Sequence, residues 1–424
     1  MLKSIKIKNF KGLKNIELND LSRVNVLVGP NNSGKSSILH AIAFLAQSLG
    51  DTPHYDGRMT SLRSFEDTVF MGDLRNEIEI CLNFDTVKEK GKLVEIAANT
   101  PYERVDFGTI GLSVKIRGGV LFQSLISNAK EICRIAHSEA GWGIEYTYLK
   151  GLHPCGGYVN NLLGWNAKEL KEAPYASKLA NSIIDILEAK MRKIYYFSPL
   201  RGIENWEEGL QETDRFGSKA QFALSVMHHL YSNEPEAFEQ ISRWASKLGV
   251  ARIISGVRGN ATRLDLQDPI LRKRVNVVNY GFGVNQILSV IGQCVASPVD
   301  SVIMIEEPEI HLHPGAIGTL VDLFIETSSQ NKQLLLTTHS DRLVLELWAR
   351  VKLETLNPAD VRLFIMEKTQ SGATVREASL KQREEQIRKD IEALYEPKSV
   401  LDEILARPEK SGDSRLSEKD LSEL

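Results

Sequence analysis

Val24-Asn25-Val26-Leu27-Val28 runs directly into Gly29-Pro30-Asn31-Asn32-Ser33-Gly34-Lys35-Ser36-Ser37, a complete G-x-x-x-x-G-K-S loop delivered by an apolar strand. Gly29 and Gly34 let the backbone approach phosphate oxygens that a Cβ would obstruct. The loop N–H groups and the N-terminus of the following helix then form an anion cradle. That helix is marked by Ile38, Leu39, Ala41, Ile42 and Leu45 at helical spacing, which completes the strand, loop, helix order that the motif needs. The reading is a nucleotide site in which residues 29–37 wrap the phosphates. Lys35 would reach the β and γ phosphates, and the Ser36 hydroxyl would ligate Mg²⁺.

The chain has 424 residues, 42% of them hydrophobic, enough for a large core and two or three substructures. No apolar run approaches the ~20 residues of a membrane span. Met1-Leu2-Lys3-Ser4-Ile5-Lys6 alternates as a strand does rather than as a secretory signal. A cytoplasmic protein with no membrane partner is expected. Cys81, Cys133, Cys155 and Cys294 lie far apart with no C-x-x-C pair, so they read as reduced, buried packing residues. A net charge of −3 excludes the general basic footprint of a DNA-coating protein and leaves room for a local basic patch.

Residues 3–10 alternate with period two, and a short strand near 16–18 precedes the P-loop strand. Residues 77–84 alternate again, and strand-like runs follow near 92–96, 111–116 and 145–149, so 77–150 reads as an antiparallel lobe. A helical pattern over 167–193 leads to Ile194-Tyr195-Tyr196-Phe197, a buried strand ending at Ser198-Pro199-Leu200-Arg201-Gly202. Residues 215–248 are helical in pattern. Val302-Ile303-Met304-Ile305 is an uninterrupted apolar run of parallel-sheet character, and Gln333-Leu334-Leu335-Leu336-Thr337-Thr338 reads as a second such strand, joined to it by a helix over 317–326. Two further strands, 361–366 and 373–378, precede a charged helix from 380 to 395 and a polar tail from Arg407 that reads as disordered. The expected division is 1–84 and 194–352 as two parts of a head, 85–193 as an inserted lobe, and 353–424 as a small C-terminal α/β extension.

The strand at 302–305 enters Glu306-Glu307-Pro308-Glu309, placing carboxylates where open α/β sheets bind ligands. With the P-loop, this is a Walker B. Glu306 takes the Mg²⁺-holding position, usually filled by the shorter Asp, and Glu307 is placed to orient and deprotonate the attacking water. His339 ends the next strand, where it can hydrogen-bond the γ-phosphate. Lys35, Glu307 and His339 are therefore the candidate catalytic residues. His311 and His313 could share a strand face as metal ligands but lack companions at fitting spacing. Arg201 could reach phosphate or a partner, or form a structural salt bridge.

Between P-loop and Walker B lies Asn279-Tyr280-Gly281-Phe282-Gly283-Val284-Asn285-Gln286-Ile287-Leu288, a glycine motif opening a helix. This order of motifs resembles an α/β ABC-type P-loop NTPase head, with a mixed core sheet, an antiparallel β lobe and a helical insertion. Lys-Ile-Lys-Asn-Phe-Lys, Ser-Pro-Leu-Arg-Gly, Gly-Phe-Gly-Val-Asn-Gln and Ile-Glu-Glu-Pro-Glu-Ile-His-Leu-His-Pro are similar, more narrowly, to the RecF, SMC and OLD-like group of bacterial ATPases.

The resemblance implies that ATP and Mg²⁺ are sandwiched between two copies, the signature of one (Gly281, Phe282, Gly283, Asn285) meeting the γ-phosphate on the P-loop of the other. A homodimer or higher assembly follows. The usual Ser-Gly-Gly-Gln signature is altered here: the serine hydroxyl is missing, and Asn285 and Gln286 are the polar substitutes. No glutamine is assigned to the metal-sensing loop, and Gln47 reads as a surface residue. The segment after His339 holds Glu367 but no Asp-x-Asp pair, so a fused TOPRIM nuclease is not expected, and no long heptad arm is present. The family then implies a switch for a separate effector, a nuclease or toxin of anti-phage defence. The alternatives are a RecF-like head that binds duplex DNA directly, and a scaffold held together by ATP with little hydrolysis.

Overall fold

The P-loop strand sits in the middle of a parallel sheet, in a computed structural model that describes residues 1–380, 387 and 389 apart from 118, 119, 139, 140, 159, 160, 212, 214, 269 and 271. The first third of the chain gives β1 (Leu2–Phe10), β2 (Leu13–Leu18), β3 (Val24–Val28), α1 (Lys35–Gln47), α2 (Phe65–Thr68), β4 (Ile78–Asp85), α3 (Lys90–Ala97), β5 (Thr109–Arg117), β6 (Val120–Ser127), β7 (Lys130–Ser138), β8 (Gly141–Tyr146) and β9 (Leu149–His153). Then come β10 (Cys155–Gly157), β11 (Trp165–Ala167), α4 (Pro174–Met191), β12 (Ile194–Phe197), β13 (Glu208–Gly209), α5 (Ala223–Asn233), α6 (Pro235–Lys247), β14 (Arg252–Arg258), β15 (Ala261–Gln267) and β16 (Arg274–Asn276). The rest is α7 (Phe282–Ala296), β17 (Val302–Glu306), α8 (Ile317–Ser329), β18 (Gln333–Thr338), α9 (Asp341–Lys352), β19 (Val361–Thr369) and β20 (Gly372–Ala378).

A six-stranded sheet in the order β12-β17-β18-β3-β19-β20 carries the nucleotide motifs, parallel throughout except for β20. Its strands alternate between two cores. Met304, Tyr196 and Leu27 face a core shared with α1, α4 and the antiparallel sheet, while Ile303, Ile305, Val26 and Val28 face one built with α5–α9. Burial on both faces is why these strands read as unbroken apolar runs.

The second sheet, β2-β1-β4-β5-β6-β7-β8-β9, is antiparallel, as expected of the lobe. It also takes in β1 and β2, so a boundary at 84/85 cuts between the paired strands β4 and β5. A boundary at 353 likewise separates β19 from the sheet to which it belongs. β19 pairs in parallel with β3, Leu363 opposite Val26, because its buried apolar residues complete the central sheet.

Four local expectations are corrected. Residues 92–96 lie in helix α3, not a strand, since Leu93, Ile96 and Ala97 are buried at helical spacing. The run at 145–149 crosses the turn between β8 and β9. The helix over 167–193 begins at Pro174, which suits a first helical turn, and the helix over 215–248 is broken at Pro235. Of the charged helix expected from 380 to 395, Leu380 lies in a turn and Ile387 and Lys389 are helical; its other residues lie outside the described ones, as does the tail from Arg407.

All four cysteines are free; Cys81, Cys133 and Cys294 are buried and Cys155 is partly exposed. Among the described residues, no helix is long and apolar enough to cross a membrane.

Candidate nucleotide site

The P-loop wraps tightly because two glycines let it. A Cβ on Gly29 would sit 2.2 Å from the Met366 carbonyl oxygen of β19, and Gly34 takes φ +97° as it turns into α1. Lys35, the first residue of α1, is buried and its Nζ spans the loop, donating to the carbonyls of Gly29 (2.7 Å) and Pro30 (2.8 Å). Burial lowers its pKa, opposed by the fields of Glu307, Glu306 and Glu309. Residues Asn31–Ser37 line a cleft of about 870 Å³ whose far walls are Lys11, Gly12, Phe70, Met71, Glu307 and the β19–β20 hairpin at Lys368–Ala373.

Strand parity decides where the Walker B carboxylates go. Met304 faces the core on the α1 side, so Glu306, two residues on, faces α1 as well, and it is 3% exposed. Ser36 Oγ donates to its Oε2 at 2.5 Å, and Tyr196 Oη donates to its Oε1 at 2.6 Å. His40 Nε2 lies 3.3 Å from Oε1. Burial would raise the Glu306 pKa, but the hydrogen bonds from His40, Ser36 and Tyr196 hold it below the usual carboxylate value. Two hard oxygen donors, Ser36 Oγ and Glu306 Oε2, side by side beneath a phosphate loop fit Mg²⁺, which takes few protein ligands and keeps its waters.

After Glu306 the chain leaves the sheet. Glu307 has φ +44°, its N–H donates to Thr337 O (2.9 Å), and its Oε1 lies 3.2 Å from His339 Nδ1. The side chain lines the cleft opposite the P-loop. Lys35 and Glu307 thus line one cleft, with Glu306 bonded to Ser36 and His339 against Glu307. Arg201 resolves differently from either expectation. It is 2% exposed and donates to the carbonyls of Ser198 (3.0 Å), Glu306 (2.7 Å) and Glu307 (3.0 Å), fastening the end of β17 to the turn after β12. Glu309 is buried against Thr338, whose hydroxyl donates to it, and burial pushes its pKa up.

The signature lies apart. Gly281 caps α7, and Gly281 and Phe282 are exposed, while residues 281–285 do not line the P-loop cleft. Gly283 packs on the Walker B loop, where a Cβ would meet the His311 carbonyl oxygen at 2.6 Å, and the Phe282 ring stands edge-on to His311 with centroids 5.1 Å apart. Asn285 and Gln286 are 5% and 1% exposed, so the expectation that they offer polar groups outward is corrected: helical spacing turns both into the core. His313 Nδ1 accepts from Gly315 N–H (3.1 Å), a turn-capping role. Among the described residues, no group of three or more His, Cys, Asp or Glu side chains could hold a metal ion. Gln47 is no idle surface residue: its amide clamps the loop 54–60 through four hydrogen bonds, to His54 O, Thr60 O, Met59 N and Thr60 N.

Sequence reasoning missed Lys11, His40, Tyr196, Phe70 and Met71. His40 was within reach, since it follows Ser36 by four residues and so shares its helix face. Tyr196 needed the sheet order, which sets β12 beside β17.

Residues 1–197 match an AAA ATPase domain family, and residues 166–346 match a family described as AAA domain, putative AbiEii toxin, Type IV TA system. An ATP/GTP phosphatase of Helicobacter pylori is 22% identical across 81% of this chain and 86% of its own length. A DNA replication and repair protein RecF of Lachnoclostridium phytofermentans is 29% identical over 23% of this chain and 27% of that protein. Among solved structures, an Smc head bound to the C-terminal winged-helix domain of ScpA superposes with a TM-score of 0.52, at 16% identity, over 90% of this chain and 98% of that one. The fold is that of an ABC-type P-loop head, and the chain is an ATPase.

Proposed function

We propose that this ABC-type ATPase head binds ATP on its own P-loop, completes the site with the signature helix of a second copy, and uses the assembled state to switch a separate effector. One observation carries this reading: the cleft is lined by the P-loop and Glu307, with His339 against Glu307, while the exposed signature at Gly281–Phe282 is not part of its lining. A γ-phosphate in that cleft would meet signature N–H groups only from another molecule.

The chemistry falls to four groups. Lys35 and the loop N–H groups hold the phosphates and offset their charge. Ser36 and Glu306 would hold Mg²⁺, which when bound supplies neutralisation of the phosphate oxygens. Glu307 orients the attacking water and accepts its proton, and His339, 3.2 Å away, steadies the Glu307 carboxylate. In this reading the effector is of nuclease or toxin type and the setting is cytoplasmic antiviral defence; the second family description names a putative toxin for the matched domain itself and bears on the toxin–antitoxin setting alone.

Glu307→Gln tests the assignment. It preserves size and a hydrogen bond to His339 but removes the base, so single-turnover hydrolysis should fall about 10²- to 10⁴-fold while ATP affinity is kept and the assembled form accumulates. Hydrolysis within tenfold of wild type would remove Glu307 from the mechanism.

Direct duplex binding is the second reading, favoured by the basic stretch that runs from α6 to β16. Between Arg243 and Arg274, eight Lys or Arg stand against two Asp, and Arg252 and Arg274 flank Gln267 on neighbouring strands. ATP-stimulated, salt-dependent binding of a DNA duplex by the purified chain would support it.

A further inference from the structure

The Walker B glutamate is held by a chain of side chains that runs from the nucleotide cleft to the back of the metal site. Glu306 is one methylene longer than the usual aspartate, so its carboxylate has one more rotation to fix. Its two oxygens are divided. Oε2 receives the Ser36 hydroxyl, whereas Oε1 receives Tyr196 Oη at 2.6 Å and faces His40 Nε2 at 3.3 Å.

Lys11 sets the histidine. Its Nζ lies 2.9 Å from His40 Nδ1, and an ammonium can only donate, so Nδ1 accepts and the ring proton sits on Nε2. That proton points toward the pair formed by Tyr196 Oη, 3.0 Å away, and Glu306 Oε1. The ring and the phenol also meet edge-on with centroids 5.8 Å apart, which restricts both. Tyr196 is 6% exposed, and its hydroxyl is committed to Glu306 Oε1.

We infer that Tyr196 and His40 are positioning residues that tether Oε1 of Glu306 and thereby present Oε2, beside Ser36, to the divalent cation. The inference rests on the reading of Glu306 as a metal ligand, and neither residue touches substrate. Outer-shell partners of a ligating carboxylate commonly govern about 10- to 100-fold in metal affinity.

The test uses the full chain, Mn²⁺ as probe and a non-hydrolysable ATP analogue, with free Mn²⁺ read by its paramagnetic resonance signal. Tyr196→Phe keeps the ring and removes one hydroxyl. It should weaken Mn²⁺ binding about 10- to 100-fold while leaving metal-free affinity for the analogue within about twofold of wild type. The hydrolysis rate should recover at high metal, shifting the metal midpoint more than kcat. His40→Leu reads the same tether from a second side chain, 20% exposed, with an unchanged urea midpoint as the check that the fold is kept. Unchanged Mn²⁺ affinity in both variants, with Glu306→Gln weakened, would overturn the tether and leave the metal reading intact. Unchanged affinity in Glu306→Gln as well would sink both.

Discussion

Arg201→Met should loosen the end of the Walker B strand and cost about 3–5 kcal/mol. Methionine fills much of the arginine's length but donates nothing. Three carbonyls then lose their partner: Ser198, Glu306 and Glu307, now held at 3.0, 2.7 and 3.0 Å. A buried acceptor left unmade costs about 1–3 kcal/mol; only the Glu306 carbonyl is fully buried and the other two are part-buried, so the three together reach roughly 3–7 kcal/mol. Relief from burying the cation acts in the other direction. That burial lowers the guanidinium pKa to about 10, so it remains charged at neutral pH. The net of these terms is the range usually found when one partner of a buried ionic group is removed. At a urea m-value of about 3 kcal/mol/M, the unfolding midpoint read by tryptophan fluorescence should fall by about 1–1.7 M. Hydrolysis should fall with it, because the Glu306 and Glu307 carbonyls carry the turn that aims both carboxylates. Arg201→Lys, which donates without the planar fork, should lie between. A Met variant with a midpoint within about 0.3 M of wild type and full turnover would refute the reasoning.

Gly29→Ala places a Cβ 2.2 Å from the Met366 carbonyl oxygen, so the loop must move off β19, and hydrolysis should drop about 100-fold for an ångström-scale displacement; normal turnover would contradict the packing argument. Gly283→Ala meets the His311 carbonyl oxygen at 2.6 Å and should displace the start of α7. ATP-dependent self-association, followed by sedimentation, should be lost while ATP binding by the single chain persists. Lys332→Met removes the donor to the Cys294 and Val295 carbonyls at the end of α7, 2.8 and 3.0 Å away, and should cost about 2 kcal/mol in urea unfolding; an unchanged midpoint would show that water serves those carbonyls equally well.

Local patterning carried much of the outcome. The P-loop could be read outright because each of its residues is demanded by contact with phosphate or by backbone geometry, and Gly34 at φ +97° illustrates this. Val302–Ile305 and Leu334–Leu336 were legible because burial on both faces favours an unbroken apolar run. The strand at 92–96 failed for the opposite reason: a five-residue window satisfies both periods, and only the packing of Leu93, Ile96 and Ala97 chose the helix.

By itself, then, the sequence determined the phosphate loop, the carboxylate pair Glu306–Glu307 and the strand-end His339, since these are short stretches whose chemistry is written in neighbouring residues. The tertiary structure decided what no neighbour in the chain could. It put β19 beside β3, brought Tyr196 and His40 to one oxygen of Glu306, turned Asn285 inward and left Phe282 outward. The first two follow from strand order, which brings together residues more than a hundred positions apart, and spacing along a chain holds no record of that; the facing of α7 follows from where that helix is packed.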